Sequence, residues 1–280
     1  MAYLITGATG AVGRQVVDQL VVAGAQVHAL TRNPDRANLP AGVKVFEGDL
    51  TADRLQPGAF DDVKRIFLFP AEGDIGPFLA SAKAAGVEHV VVLSSLAAAA
   101  ELPRDLNSPS YRHHRAIEQA VEASGLAYTF LRSGSFANNL RFWSYSIKTQ
   151  RMVYGPYPQS AQALVHEADV AAVAVAALTT AGHQGATYAL TGPQSLTQVE
   201  QLQTIGDAIG QKLTYQVITP DQFKQSMSQF MPADVIQMML DYWSDTVDQP
   251  DVVRPTVEQV TGRPARTQAQ WAADHVADFS

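Results

Sequence analysis

"ITGATGAVGR", residues 5–14, decides the fold of this chain. Gly7, Gly10 and Gly13 stand at three-residue spacing between the apolar run "YLIT" (3–6) and residues 11–23, where Val12, Val16, Val17, Leu20 and Val21 recur at helical spacing. Glycines between a strand and a helix permit a tight turn, close approach of a phosphate to backbone amides, and close helix-to-strand packing. The helix start adds free N–H groups and a partial positive charge. The spacing is G-x-x-G-x-x-G, not G-x-G-x-x-G, and the alternative reading is a bare structural turn. The reading taken here is a pyrophosphate cradle with Gly7, Thr9, Gly10, Ala11, Val12 and Gly13 as its contacts.

Working outward, "QVHALT" (26–31), "VKVFEG" (43–48), "RIFLF" (65–69), "HVVVLSS" (89–95) and "AYTFLR" (127–132) read as further strands, with helical patterns near 75–85 and 111–124. Their near-continuous apolar runs predict strands buried on both faces, hence a parallel sheet covered by helices. The expected class is α/β: a Rossmann-type doubly wound parallel sheet with a smaller α/β C-terminal substrate lobe. Residues 1–135 would form the dinucleotide-binding core and 136–280 the lobe, with the part around 160–190 returning to the core sheet. In the second half, "HEADVAAVAVAALTTAG" reads as a helix with Asp169 near its start, and "ATYALTG" as a strand. Thr197 and Glu200 form a capping-box pattern, and Thr219 with Pro220 marks another helix start.

The bulk numbers restrict the function. The 280 residues carry a formal charge of −7, which lacks the basic field of a nucleic-acid binder. There is no cysteine, so disulfides, thiolate nucleophiles and cysteine-ligated metals are excluded. No histidine–carboxylate spacing suggests a metal site, His166 with Asp169 included, and no G-x-S-x-G elbow suggests a hydrolase. With no membrane-length apolar run and no signal-peptide pattern, the expectation is a cytoplasmic protein with no membrane or nucleic-acid partner.

The second strand ends "HALTRNP". An NAD-preferring site would usually carry an acid there for the ribose hydroxyls; here stand Thr31 and Arg32, with Arg36 a turn later. A guanidinium suits a 2′-phosphate, so NADP(H) is the expected cofactor. Asp49 and Leu50, ending the third strand, would lie by the adenine, with Asp49 accepting from its amino group or capping the next helix.

"TGATGAVG", "TRNP", "EGDL", "AAGVEHVVVLSS", "ASGLAYTFLR" and "ALTGPQSLT" together resemble the NmrA-like branch of the atypical short-chain dehydrogenase/reductases. The resemblance runs from residue 1 to roughly 225 and fades in the last fifty. It implies the fold and the dinucleotide site. It does not imply one reaction, since the group includes quinone reductases, isoflavone-type reductases, ketoreductases and redox-sensing regulators. By position it places Phe69, Pro70 and Ser94 beside the nicotinamide ribose.

Short-chain dehydrogenases normally use a tyrosine with a lysine four residues later. In "NSPSYRHHRAIEQAVEASG", Tyr111 is followed at that distance by Arg115, whose guanidinium does not relay a proton. Aligning the family's downstream glutamate on Glu118 instead puts His114 in the lysine slot and Ser110 in the tyrosine slot. The pair is broken in either register. His114 and Tyr111 are the candidate catalytic residues, His114 as ribose or substrate ligand and as proton donor near neutral pH. Their alternatives are a helix-surface histidine beside His113 and an ordinary helix-start aromatic.

"LRSGSFANNLRFWSY" (131–145) should cross the open edge of the nicotinamide pocket. Phe136, Phe142, Trp143 and Tyr145 would build an aromatic wall for a flat ring. Arg132 and Asn139 occupy the family's R-x-G-x-x-x-x-N pattern, making Phe136, Asn139, Phe142 and Trp143 the candidate substrate residues. "RMVYGPYP" (151–158) and the Met-rich "SMSQFMPADVIQMML" (226–240) are candidate lids or lobe packing. The expectation is an NADPH-dependent reductase, monomeric or homodimeric, acting on a quinone-like or conjugated carbonyl small molecule. Its alternatives are a non-catalytic NADP(H) redox sensor and a non-redox cyclase or isomerase on the same fold.

Overall fold

Apolar residues at successive positions of β1 (Ala2–Thr6) face opposite sides of a sheet, and both sides are covered. Leu4 belongs to one core and Ile5 to the other, and each is completely buried. The computed structural model describes every residue except Asp53 and Asn107. From β1 the chain passes into α1 (Ala11–Val22), then β2 (Gln26–Thr31), β3 (Lys44–Asp49), β4 (Arg54–Leu55) and β5 (Val63–Leu68). It continues through α2 (Gly76–Ala84), β6 (His89–Ser95), α3 (Pro109–Ser124) and β7 (Ala127–Ser133).

The strand order in the main sheet is β10-β7-β6-β5-β1-β2-β3-β4, where β10 is Thr187–Leu190. All pairs are parallel except the two-residue β4, which runs antiparallel to β3 on the edge. The chain moves outward from β1 in one direction through β2 and β3, then returns to β1's other side at β5. The sheet is therefore doubly wound as expected, with its switch point between β1 and β5, where such sheets bind ligands. The short β4 was not legible in the sequence, because two residues show no periodicity.

One core packs Val16, Val17 and Leu20 of α1 and Val170, Val173 and Ala174 of α5 (Glu167–Thr179) on the sheet. The other packs Leu79 of α2 and Val121 of α3 against Leu68, Val90 and Phe130. Each fully buried aliphatic or aromatic side chain there contributes about 1.5–3 kcal/mol of transfer free energy, so the two-sided burial dominates the sheet's stability.

Between β7 and α5 lie α4 (Ser144–Gln150), β8 (Met152–Gly155) and β9 (Ala161–Gln162). After β10 come β11 (Leu196–Thr197), α6 (Gln198–Ala208), β12 (Thr214–Val217), α7 (Pro220–Met227) and α8 (Ala233–Asp248). The expected capping box is present, Thr197 Oγ1 accepting from the Glu200 amide at 3.2 Å, and Thr219, expected as a helix cap, accepts from the Gln222 amide at 3.1 Å. β11 pairs antiparallel with β9 and β12 parallel with β8, giving two small sheets outside the main one. Their helices enclose a third cluster around Leu140, Leu202, Ile205 and Trp271, and a fourth around Phe223, Ile236 and Leu240.

In the last segment α9 (Thr256–Thr261) packs on α5, α10 (Gln268–Asp274) on α6 and α11 (Val276–Phe279) on α4, and polar side chains tie the segment to the start of α5. Asp169 sits in the first turn of α5, accepts from the Arg266 amide at 2.6 Å and pairs with the Arg266 guanidinium. His166 is the N-cap of that helix, its Nδ1 accepting from the Ala168 amide at 3.1 Å. Glu167, almost fully buried, accepts from Trp271 Nε1 and faces His275 Nε2 at 2.8 Å. The histidine and carboxylates of "HEADVA" thus anchor the C-terminal segment. Among the described residues no group of histidines and carboxylates is arranged to hold a metal ion. No helix of the described residues is long and apolar enough to cross a membrane.

Candidate active site

Gly7 leaves β1 at φ +60°, where a side chain would be strained, and a Cβ there would stand 2.7 Å from Phe69 Cβ. Gly13, in the first turn of α1, leaves no space at all: its Cβ would meet the Gly7 carbonyl oxygen at 2.1 Å. These two glycines bring the helix start down onto the strand end. The Gly10 amide is taken up by the Gly7 carbonyl at 2.9 Å, while Gly10 as N-cap offers no side-chain cap to the helix. The amides of Ala11, Val12 and Gly13 begin a helix and have no acceptor within it. Such an uncapped helix start, bordered by positions that admit no Cβ, fits a pyrophosphate. Thr9 lies in the same turn.

At the end of β2, Arg32 is exposed and lines a surface concavity with Asp49 and Arg54. Asp49 caps no helix. Its Oδ1 accepts from the Thr51 amide and hydroxyl, both at 3.0 Å, and these bonds hold its carboxyl below the usual carboxylate range. Leu50 is buried in the second core, so its side chain packs under the groove. Arg36, in the short 3-10 turn Pro34–Arg36, is not among the residues lining this concavity; Arg54 is.

At the switch point, Thr6 Oγ1 accepts from the Phe69 amide at 2.7 Å and donates to the Phe67 carbonyl, tying the ends of β1 and β5 together. Phe69 and Pro70 then line a cavity of about 1020 Å³ that runs over the C-terminal ends of β5, β6 and β7. Ser94 lines it too, but its hydroxyl donates to Glu118 Oε1 at 2.7 Å. Glu118 is fully buried and also takes a two-point contact from Arg132, at 2.9 and 2.7 Å, and one from Arg115 at 3.1 Å. Burial alone would raise this carboxyl; the hydrogen bonds from Arg132 and Ser94 and the Arg132 charge outweigh it and hold it lowered. Arg132 is therefore an internal counter-ion beneath the site.

On α3, Ser110, His113 and His114 line the cavity. His114 Nδ1 donates to the Ser110 carbonyl at 2.9 Å, which leaves Nε2 as its free ring nitrogen. Burial pushes the His114 pKa down, against the opposing effect of the Ser110 carbonyl. The lowering favours the neutral imidazole, whose Nε2 is a hydrogen-bond acceptor. His113 Nε2 donates to the Pro70 carbonyl at 3.1 Å, clipping α3 to the β5 exit. Tyr111 does not line the cavity, because one residue after Ser110 turns it about 100° round the helix. Its amide donates to Oγ of the N-cap residue Ser108 at 3.0 Å.

Phe136, Asn139, Phe142 and Trp143 all line the cavity, so the crossing segment brings the four candidate substrate residues to one wall. Tyr145 does not join them; at the start of α4 it is 78% exposed. Tyr154 and Gly155 of β8 and Met231, Val235, Met238 and Met239 from the Met-rich stretch contribute further lining. Two contributors had no sequence signal. Ser133 Oγ, at the end of β7, is buried, lines the cavity and has no hydrogen-bond partner. Tyr242 on α8 donates to Asp251 beneath the Arg104 guanidinium, which lies 5.0 Å from the ring centroid. Burial, reinforced by the Asp251 charge, raises the Tyr242 hydroxyl well above its ordinary range, so it remains protonated.

A doubly wound parallel sheet with a glycine cradle at its first turn and a cavity over its switch point defines a dinucleotide-dependent protein of the Rossmann type. The chain belongs to the NAD(P)H-binding family, whose profile matches residues 7–181. It is similar to (4-alkanoyl-5-oxo-2,5-dihydrofuran-3-yl)methyl phosphate reductase of Streptomyces griseus, at 38% identity over 99% of both chains. It is 35% identical to NAD(P)H azoreductase of Xenophilus azovorans, over 99% of this chain and 98% of that one. The crystal structure of the NADPH-dependent quinone oxidoreductase of Escherichia coli complexed with NADPH shares the fold, with a TM-score of 0.77 at 24% identity, covering 98% of this chain and 99% of that one. The chain is an NAD(P)H-dependent oxidoreductase of the NmrA-like, atypical short-chain dehydrogenase/reductase type, without a Tyr-x-x-x-Lys pair.

Proposed function

We propose that this protein uses NADPH to reduce a flat, conjugated acceptor of the quinone or activated-carbonyl kind. The observation that carries the reading is the aromatic and methionine-lined cavity of about 1020 Å³ bordered by Phe69, Pro70 and Ser94, the positions expected beside the nicotinamide. When bound, the reduced nicotinamide supplies a hydride from its C4. The chain's own residues would do the rest. The amides at the start of α1 would bind the pyrophosphate, and Arg32 would pair with the 2′-phosphate. Holding these remote groups fixes the geometry at the reacting end.

His114 Nε2 would accept a hydrogen bond from a ribose hydroxyl, with Nδ1 locked on the Ser110 carbonyl. Phe136, Phe142 and Trp143 would hold the acceptor ring, and the methionines of α8 would adapt to its outline and exclude water. Neither Tyr242, tied to Asp251, nor His114, whose protonated form is disfavoured, is a ready general acid. Acceptors whose reduced forms are weak bases tolerate that lack; unactivated ketones do not.

The test is NADPH and NADH oxidation followed by absorbance against a panel of quinones, enones and simple ketones. Turnover of quinones or enones with NADPH well above NADH, and none of simple ketones, is the expected result. Faster turnover of unactivated ketones would overturn it.

A further inference from the structure

The strands at the edge of the main sheet bring together two arginines that are far less obviously related in sequence. β2 pairs with β3 through Thr31 opposite Glu47, and β3 pairs with β4 through Asp49 opposite Arg54. Arg32, the Gly48–Asp49 step and Arg54 therefore lie side by side across three strands. They line an exposed concavity of about 580 Å³ with Glu47 and Gln56. The hairpin is held in place from within: Gln56 Oε1 accepts from the Glu47 amide at 2.9 Å, and the Gln56 amide donates to the Glu47 carbonyl at the same distance. Among the described residues, neither the Arg32 nor the Arg54 guanidinium has a hydrogen bond or salt bridge.

We propose that Arg54 is a second contact for the cofactor's 2′-phosphate and that it sets, together with Arg32, the preference for NADPH over NADH. This assignment rests on the NADPH preference proposed above. Its basis is charge balance in a small space. Two carboxylates, Glu47 and Asp49, line the concavity, and the Asp49 carboxyl is held ionised by its bonds from Thr51. With Arg32 alone the concavity would be net negative and would repel a phosphate that is close to a dianion. Arg54 brings it to neutrality before the ligand arrives. Two guanidiniums flanking one phosphate can each donate two N–H bonds to its oxygens. A 2′-hydroxyl makes no comparable demand, so Arg54 is unimportant to NADH.

The experiment is calorimetric titration of the full chain and of its Arg32→Gln and Arg54→Gln variants with NADP+, NAD+ and 2′,5′-ADP, alongside thermal melts. The wild type should bind NADP+ more tightly than NAD+. In Arg54→Gln, affinity for NADP+ and 2′,5′-ADP should fall roughly tenfold or more while that for NAD+ and the melting point stay put. An unchanged NADP+/NAD+ ratio in Arg54→Gln, with the ratio collapsed in Arg32→Gln, would overturn the Arg54 assignment and leave the cofactor preference standing. Equal affinity of the wild type for NADP+ and NAD+ would overturn both.

Discussion

Gly13 and Gly7 are packed so closely that a Cβ on the first would stand 2.1 Å from the carbonyl oxygen of the second. The contact is backbone to backbone, so no side-chain rotation relieves it. It joins the first helix to the first strand and shapes the cradle in one step. Gly13→Ala should destabilise the fold by about 1–3 kcal/mol, as overpacking does, and weaken cofactor binding with it. Gly10→Ala is the contrast. Its Cβ would lie 3.3 Å from the same oxygen, at an ordinary φ of −82°. Its melting point should stay near wild type, which parallel thermal melts would check.

Glu118 is the buried carboxylate on which Ser94, Arg115 and Arg132 converge. Glu118→Ala strands the Arg132 guanidinium, whose side chain is only 21% exposed. The expected loss is about 2–4 kcal/mol in denaturant unfolding, at or below the range for breaking a buried pair because Arg132 keeps some solvent. Glu118→Gln should lose less. If both variants unfold at the wild-type midpoint, the network is not a structural anchor.

Stability should fall on the acid side in two stages. His89, buried at the start of β6 and bonded through Nε2 to Thr129 Oγ1 at 2.9 Å, is pushed down to about 4 by burial and the nearby Arg65 charge. A group with a lowered pKa gives its full stabilisation above the unfolded value and loses it as pH falls through the folded one. For His89 that window runs from 6.5 down to about 4. Glu118, lowered from 4.5, adds its loss below that value. Melting points of wild type and His89→Gln, measured across this range, should converge toward acid pH.

The pH profile of turnover separates two roles for His114. A hydrogen-bond acceptor predicts kcat/KM that is level from about pH 6.5 to 8 and drops only on the acid side, since burial lowers the His114 pKa. An obligatory imidazolium donor predicts a rate that falls as pH rises over the same span. His114→Asn would raise KM for NADPH more than it lowers kcat if the acceptor role holds.

Phe142 lines the cavity yet is 50% exposed. Phe142→Ala should leave the melting point unchanged and raise KM for a quinone about threefold to tenfold, the loss of one aromatic contact. KM for NADPH should not move.

The sheet was legible because its strands are continuous apolar runs and because the glycine loop falls between the first strand and helix. The capping box at Thr197 and the helix cap at Thr219 were legible because such bonds are local, spanning three residues. Phe136, Asn139, Phe142 and Trp143 could be expected at the cavity because they follow β7 directly, and all four line it. Partnerships across the fold were not readable. Arg132 opens the R-x-G-x-x-x-x-N pattern, and no local spacing announces that it is the counter-ion of Glu118. Tyr145 continued an aromatic run but faces solvent once α4 begins.

The sequence by itself determined the doubly wound sheet and its glycine turn, which follow from hydrophobic period and from glycines at fixed spacing, and the family, which follows from the resemblance of its motifs. Only the tertiary structure decided which polar groups remain available to a ligand. Ser94 is used by Glu118, and Tyr242 by Asp251, whereas His114 keeps one ring nitrogen and Arg54 reaches the groove of Arg32. The physical reason is that hydrogen bonds and burial are set by distances across the fold. A residue's type states what it is able to do; its neighbours in space determine whether that capacity is already spent.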